Sequence, residues 1–317
     1  MVVVEAITLL ISLVILAKSS SLVVEKALVL SRFFGISQLA VGFLLISVST
    51  SLPELSVSII SSTVGEGALA AGNVFGSNIA NILLVLGIGA FLYGFKVNKL
   101  SLKDIALVLV VTTIISAYMI FAGTVNRQVL GIVEGLILLL LFLGYAWYVL
   151  SNKVQSENGE AVISKREALN GFLFFAAGII VVLVSAGLVV ESGIKIARLF
   201  NLAESFIGAT FIAIGTSLPE LSIDLQAIRK KHYGMALGDA IGSNMVNLTL
   251  VLGAAAIINP ITVTLPIFIA ALLFAIVSNV ILLYVASVKK WVGRTTGVAF
   301  LLLYLVYLAS IFYLQLA

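Results

Sequence analysis

Apolar residues run along this chain in long unbroken stretches separated by short polar breaks. Ten stretches are legible: 3–34, 39–62, 67–94, 104–122, 129–150, 168–200, 205–228, 233–258, 264–287 and 295–316. Polar and apolar positions do not alternate within them, which excludes the strands of a membrane barrel. Each stretch instead predicts a helix long enough to cross a bilayer. The first and sixth are too long to stand upright, with Glu25 and Glu191 in their last turns, so they predict long tilted helices. The longest polar stretch, Ser151–Glu167, predicts a linker between two halves. The expected organisation is a five-helix unit over 1–150, a cytoplasmic linker over 151–167 and a second five-helix unit over 168–317.

Composition sharpens this pattern. The chain is 62% hydrophobic and 10% charged, with a mean hydropathy of +1.24. Soluble domains carry about 25% charged residues, so a soluble enzyme is excluded. There is no cysteine, which removes disulfide frameworks and thiolate metal sites, and His232 is the single histidine. Glu5 stands where a signal peptide would carry positive charge, so no cleaved leader is expected. With the N-terminus outside, only Arg127, Lys195 and Arg198 of the 18 basic residues fall on the outer side. The net charge of +4 is therefore a topology signal. It predicts a multi-pass protein of the plasma or inner membrane with both termini extracellular, and it leaves no place for nucleic acid.

The two halves repeat without a gap at a constant offset (Val23 to Val189, 166 residues). Thr50-Ser-Leu-Pro-Glu-Leu-Ser56 returns as Thr216-Ser-Leu-Pro-Glu-Leu-Ser222, and Gly76-Ser77-Asn78 as Gly242-Ser243-Asn244. Asn81 is matched by Asn247, and Leu84-Val-Leu-Gly87 by Leu250-Val-Leu-Gly253. Five spans per half is an odd number, so the second half is inverted. The fold class predicted is an all-α polytopic membrane protein, ten transmembrane helices in a 5+5 inverted-topology repeat. Secondary transporters are often built this way, with substrate at the repeat interface near the midplane.

The repeat holds residues that hydrocarbon should exclude. Glu54 and Glu220 lie inside apolar spans, where a carboxyl marks a functional site by default. Pro53 and Pro219 precede them, kinking the helix and freeing carbonyls around Ser49 and Gly215. Thr50, Ser51 and Glu54 share a face with Ser47 one turn away, and Ala213, Thr216, Ser217 and Glu220 repeat it. A second polar stripe recurs every four residues: Asn73, Ser77 and Asn81, then Asp239, Ser243 and Asn247. These are hard oxygen donors without sulfur or imidazole, which suits Ca2+ and alkali ions. Gly42, Gly72, Gly76, Gly208, Gly238 and Gly242 are expected to let helices approach closely.

The paired TSLPE segments, each followed by G[ND]xxGSNxxN, resemble the α-repeats of the Ca2+/cation antiporter superfamily, which includes Na+/Ca2+ and H+/Ca2+ exchangers. The resemblance implies one central ion cluster and helices one and six that slide to alternate access. It implies acidic ligands at Glu54 and Glu220, and hydroxyl or carbonyl ligands at Ser47, Thr50, Ser51, Ser77, Ala213, Thr216, Ser217 and Ser243. Amide ligands are implied at Asn81 and Asn247. Two departures stand out: Ser49 replaces the glycine of GTSxPE, and Asn247 replaces an aspartate that some archaeal Na+ exchangers carry.

Two acids break the repeat. Asp224 stands where the first half has Ser58, and Asp239 where it has Asn73. In the derived topology both lie on the cytoplasmic side, which predicts an acidic inner vestibule that gathers Ca2+ for export. Two glutamates balance one Ca2+ or two H+, and with Asp239 taken as too distant to help, protons are favoured over Na+ as the counter-ion. The expected function is thus Ca2+/H+ antiport, with Na+/Ca2+ exchange as the alternative. Ca2+ is substrate, no cofactor is needed, and a monomer in the lipid bilayer suffices. Two rivals fit worse. An intramembrane aspartyl protease needs Gly-x-Gly-Asp where this chain reads Ala236-Leu-Gly-Asp239, and a cation channel usually builds its pore from several subunits.

Overall fold

The computed structural model describes residues 2–97, 99–125, 128–151, 163–199, 213–262 and 265–316. Hydrocarbon offers the backbone no partners, so each apolar stretch closes its own hydrogen bonds as a helix. In chain order these are α1 (Val2–Phe34), α2 (Gln38–Thr50), α3 (Leu52–Thr63), α4 (Gly67–Leu92), α5 (Lys99–Val125) and α6 (Ile132–Ser151). The second half supplies α7 (Lys165–Leu199), α8 (Ala213–Thr216), α9 (Leu218–Arg229), α10 (Tyr233–Ile258), α11 (Leu265–Lys289) and α12 (Arg294–Leu316). Among the described residues eight helices are long and apolar enough to cross a bilayer, and α2 with α3, bent by 44°, makes a ninth. The remaining expected span, 205–228, enters the described residues only from 213 onward, as α8 and α9. Residues 152–162 of the expected linker also lie outside them.

The long helices behave as their lengths require. At 1.5 Å per residue, the 33 residues of α1 and 35 of α7 reach about 50 Å, well beyond a hydrocarbon core of roughly 30 Å. They run against each other. Gly178 and Gly171 allow this, since a Cβ there would stand 2.9 Å from Val23 Cγ2 and 3.1 Å from Val29 Cγ1.

Burial identifies the centre. α4 and α10 are 78% buried in their apolar windows, against 22% for α6 and α12, which face outward. α2 crosses α10 backbone to backbone. A Cβ on Gly42 would meet the Met235 carbonyl and lie 2.8 Å from the Asp239 nitrogen. One on Gly242 would lie 2.6 Å from Phe43 Cδ2. These glycines are required by close approach.

Two short ribbons tie the halves together. β1 (Phe95–Lys96) pairs antiparallel with β4 (Trp291–Val292), and β2 (Gln128–Leu130) with β3 (Ile261–Thr262). Each ribbon joins one strand from each half, at opposite ends of α5 and α11.

Candidate cation-binding site

The site begins with two helix breaks. Sequence reasoning expects one kinked helix at each proline; the structure instead ends one helix and starts another. The pivots are Ser51 (φ −78°, ψ 5°) and Ser217 (φ −90°, ψ 7°), nearly the same conformation at equivalent positions. Pro53 and Pro219 fall within the first two positions of α3 and α9, where a missing N–H is tolerated. Ser51-x-x-Glu54 and Ser217-x-x-Glu220 have capping-box spacing, yet neither serine caps its helix through its side chain. Both hydroxyls are instead buried without a hydrogen-bond partner among the described residues. Glu54 and Glu220 occupy the first turns of α3 and α9, where the helix dipole favours a carboxylate.

The two breaks reach across to each other. The Thr216 hydroxyl contacts the Glu54 carboxyl, and the Thr50 hydroxyl contacts that of Glu220. Ser77 on α4 donates to Glu54 Oε1 at 3.4 Å. Asn73 donates to the Glu54 carbonyl and to Ser58 Oγ, each at 3.0 Å, and so fixes α3 on α4. All four acids are deeply buried: Glu54 and Glu220 are 1% exposed, Asp224 and Asp239 0%. Among the described residues none of the four forms an ion pair.

Between α4 and α10 lies a network that sequence reasoning misses. Asn78 Nδ2 donates to the Asn244 carbonyl at 3.3 Å, and Asn244 Nδ2 returns the bond to the Asn78 carbonyl at 3.2 Å. Asn81 Nδ2 donates to Asn244 Oδ1 at 3.1 Å, and Asn247 Nδ2 to Asn78 Oδ1 at 3.2 Å. These bonds use the nitrogens of Asn81 and Asn247 and leave both amide oxygens buried and free. Each of these two asparagines also opens a π-helical turn, Asn81–Val85 or Asn247–Val251, and a third such turn, Gly42–Ser47, precedes the break in α2. Such turns frequently mark functional sites. The signal for Asn78 and Asn244 was their place in the repeated GSN motif.

Some expected ligands sit differently. The Ser47 hydroxyl donates to the Phe43 carbonyl rather than turning to a glutamate. Ser243 breaks symmetry with Ser77, donating to Asp239 Oδ1 at 3.3 Å because that acceptor lies one turn before it on α10. Of Ala213 only the backbone, at the start of α8, lies within the described residues. Asp239 is not distant, since its Oδ1 lies 3.5 Å from Thr50 Oγ1. Nor do Asp224 and Asp239 line an open vestibule. Helix packing seals both, and their carboxyls touch each other inside the same cluster.

The buried oxygens without a hydrogen-bond partner are then Ser51 Oγ, Ser217 Oγ, one oxygen each of Glu54, Glu220 and Asp239, both of Asp224, and the amide oxygens of Asn81 and Asn247. Among the described residues only Ser62 Oγ and Ser116 Oγ lie outside this set. A buried polar oxygen left unpaired is costly. Carboxyl, hydroxyl and amide oxygens are the donor set that hard cations take. Among the described residues no three Asp, Glu or His side chains converge as a metal-ligand group, so a cation here would take mixed carboxyl, hydroxyl and amide oxygens. A cavity of about 530 Å³ reaches this cluster at Thr216, between Pro53 and Pro219, and extends along α7 to Glu191 and Lys195.

Comparison with known proteins identifies the family. The sodium/calcium exchanger protein family matches residues 4–151 and 170–313. The chain is 32% identical to the inner membrane protein YrbG of Escherichia coli strain K12, over 80% of this chain and 79% of that one. It is 28% identical to the sodium/calcium exchanger MaX1 of Methanosarcina acetivorans, covering 99% of this chain and all of the relative. The solved structure of the sodium-calcium exchanger NCX_Mj superposes with a TM-score of 0.83 at 28% identity, covering 98% of this chain and 100% of that one. The chain therefore belongs to the sodium/calcium exchanger family, within the Ca2+/cation antiporter superfamily, and is a transmembrane ion antiporter.

Proposed function

We propose that this chain is a Na+/Ca2+ exchanger that exports Ca2+ by alternating access at one site between the breaks of α2/α3 and α8/α9. The observation that carries the reading is the set of buried, unpartnered oxygens gathered around Glu54 and Glu220. Ca2+ is held by both glutamates with Ser51, Ser217, Asn81 and Asn247, while Thr50 and Thr216 link the repeats. Asp239 bears on the counter-ion. The preference for protons assumed only two carboxyls within reach, and Asp239 beside Thr50 removes that premise. The names of MaX1 and NCX_Mj, both sodium/calcium exchangers, point the same way.

Access alternates with the packing of α1 and α7. On the α7 side the cavity runs from Thr216 toward Glu191 and Lys195. On the α1 side, Lys230 Nζ donates to Ser21 Oγ and Glu25 Oε1, each at 2.7 Å, and Ser20 Oγ to Ser222 Oγ at 2.8 Å. With the basic loop Arg229–Lys231 cytoplasmic, this is an outward-accessible state closed on the inside.

The test is radioactive Ca2+ uptake into proteoliposomes, driven first by a Na+ gradient at fixed pH and then by a pH gradient without Na+. Na+-driven uptake is expected; uptake driven only by the pH gradient overturns Na+ coupling. Glu54→Gln and Glu220→Gln are each expected to abolish uptake, and retained turnover in either contradicts the site.

A further inference from the structure

The inverted halves can be compared place by place, and one place differs in kind. In the first half, Ser58 on α3 faces Asn73 on α4, and the pair is satisfied because the amide donates to the hydroxyl at 3.0 Å. The equivalent pair in the second half is Asp224 on α9 and Asp239 on α10. Their carboxyls touch, yet neither has a hydrogen to give as a carboxylate. Both are 0% exposed. Both oxygens of Asp224 and Oδ2 of Asp239 lack a hydrogen-bond partner among the described residues. Glu220, one turn before Asp224 on α9, also has Oε2 unpartnered. Where the first half closes a neutral donor–acceptor bond, the second half sets two carboxyls side by side and leaves three of their oxygens without a hydrogen-bond partner among the described residues.

We infer that Asp224 and Asp239 form a second cation position, contiguous with the Glu54–Glu220 centre and on its side toward the Arg229–Lys231 loop. Contiguity runs through Thr50, whose hydroxyl contacts Glu220 and lies 3.5 Å from Asp239 Oδ1. The pair offers three free carboxyl oxygens and the hydroxyls of Thr50 and Ser243, fewer than the six to eight oxygens Ca2+ takes. The occupant is therefore a monovalent hard cation, Na+. Loaded with Na+, the pair supplies negative charge for an ion beyond those the glutamates balance. Loaded with Ca2+, the centre leaves the pair to release its ion. This deepens the Na+/Ca2+ reading proposed above and rests on it.

The first half itself provides the test variant, because a serine–asparagine pair packs at the equivalent place. Asp224→Ser with Asp239→Asn copies that pair into the second half; Asp224→Asn alone is the milder companion. The full chain is purified in nanodiscs, and bound radioactive Na+ is counted at saturation without Ca2+, followed by Ca2+ titration to displace it. The expected result is one fewer Na+ per chain in both variants, with Ca2+ still bound at the centre and a shallower dependence of Ca2+ displacement on Na+. Unchanged Na+ stoichiometry in the two variants overturns the inference, as does a difference confined to pH dependence, which would mean a shared proton. Glu220→Gln separates the two ideas. If it retains Ca2+ binding, the central site is wrong; if it loses Ca2+ while the double variant binds as much Na+ as the parent, only the second position is wrong.

Discussion

Lys230, at the end of α9, is bonded to α1 on the side away from the cavity, and under the proposed alternating access its removal should tilt the balance between access states. Its ammonium lies 2.7 Å from Glu25 Oε1, 2.7 Å from Ser21 Oγ and 3.2 Å from the Ser21 carbonyl. An exposed ion pair contributes only about 0.2–1 kcal/mol, and Glu25 is 57% exposed at its side chain. Hydrogen bonds from a charged donor contribute more, about 1.5–3 kcal/mol before exposure reduces them. With Lys230 27% exposed, a discounted total of about 1–2 kcal/mol is reasonable, which shifts an equilibrium by roughly 5–30-fold. The chain has no cysteine, so single reporters need no background removal. Val190→Cys lines the cavity and Ser222→Cys reports the opposite side, where Ser222 meets Ser20. In a Lys230→Met background, maleimide labelling of Val190→Cys should slow and that of Ser222→Cys should quicken. Glu25→Gln should produce part of the effect, and little more when combined with Lys230→Met. Equal labelling rates at both reporters with and without Lys230 would falsify the assignment of this contact as a gate.

Other outcomes follow from the same geometry. Gly238→Ala places a Cβ 2.8 Å from Leu39 Cα and against the Leu39 carbonyl, so it should lose about 1–3 kcal/mol by overpacking, read as a lower melting temperature in detergent, while Gly144→Ala should be neutral. Asn78→Ala removes an acceptor of Asn247 and a donor to Asn244. It should lose about 1–3 kcal/mol and weaken Ca2+ binding in isothermal titration, with Asn244→Ala matching it; unaltered Ca2+ affinity in both would break the link between this network and the site. His232 is held below its ordinary value, first by burial and then by Lys230 and Arg32. The folded chain thus binds fewer protons there than the unfolded chain as pH falls through about 6.5, and loses stability. His232→Asn should flatten melting temperature between pH 7 and 5, and a slope equal to the parent's would contradict that.

The apolar pattern was enough to read most of the helices, because in hydrocarbon length and hydropathy leave the backbone few choices. The two glutamates were legible for the complementary reason, that hydrocarbon makes a carboxyl conspicuous. The break at Ser51 was less legible. A proline inside an apolar run is compatible with either a kink or a fresh helix start, and the run alone does not choose between them. The asparagine network was illegible in a different way. Asn78 and Asn244 lie far apart in sequence and become partners only when α4 and α10 cross, so the repeat marks both without pairing them. Asp239 lies nearer the centre than the sequence suggests, because Thr50 reaches it across the α2–α10 contact that Gly42, Gly238 and Gly242 permit.

Near-symmetry is what makes the exceptions informative. Under the alternating access proposed above, two halves with identical contacts would make the two access states equal in energy, and nothing in the protein would then favour one side. Three differences fall on one side. Lys230 stands where the first half has Val64, and Asp224 and Asp239 where it has Ser58 and Asn73. The first ties α1 shut near the basic loop. The other two put extra carboxyl groups between that loop and the centre. Each acts in a different state, the lysine when that side is closed and the aspartates when a cation arrives from it. A chain in which Val64→Lys and Lys230→Val exchange these residues keeps its composition but moves the tie to the other face. If the asymmetry sets the resting state, labelling at Val190→Cys should fall in that swap by at least as much as in Lys230→Met alone.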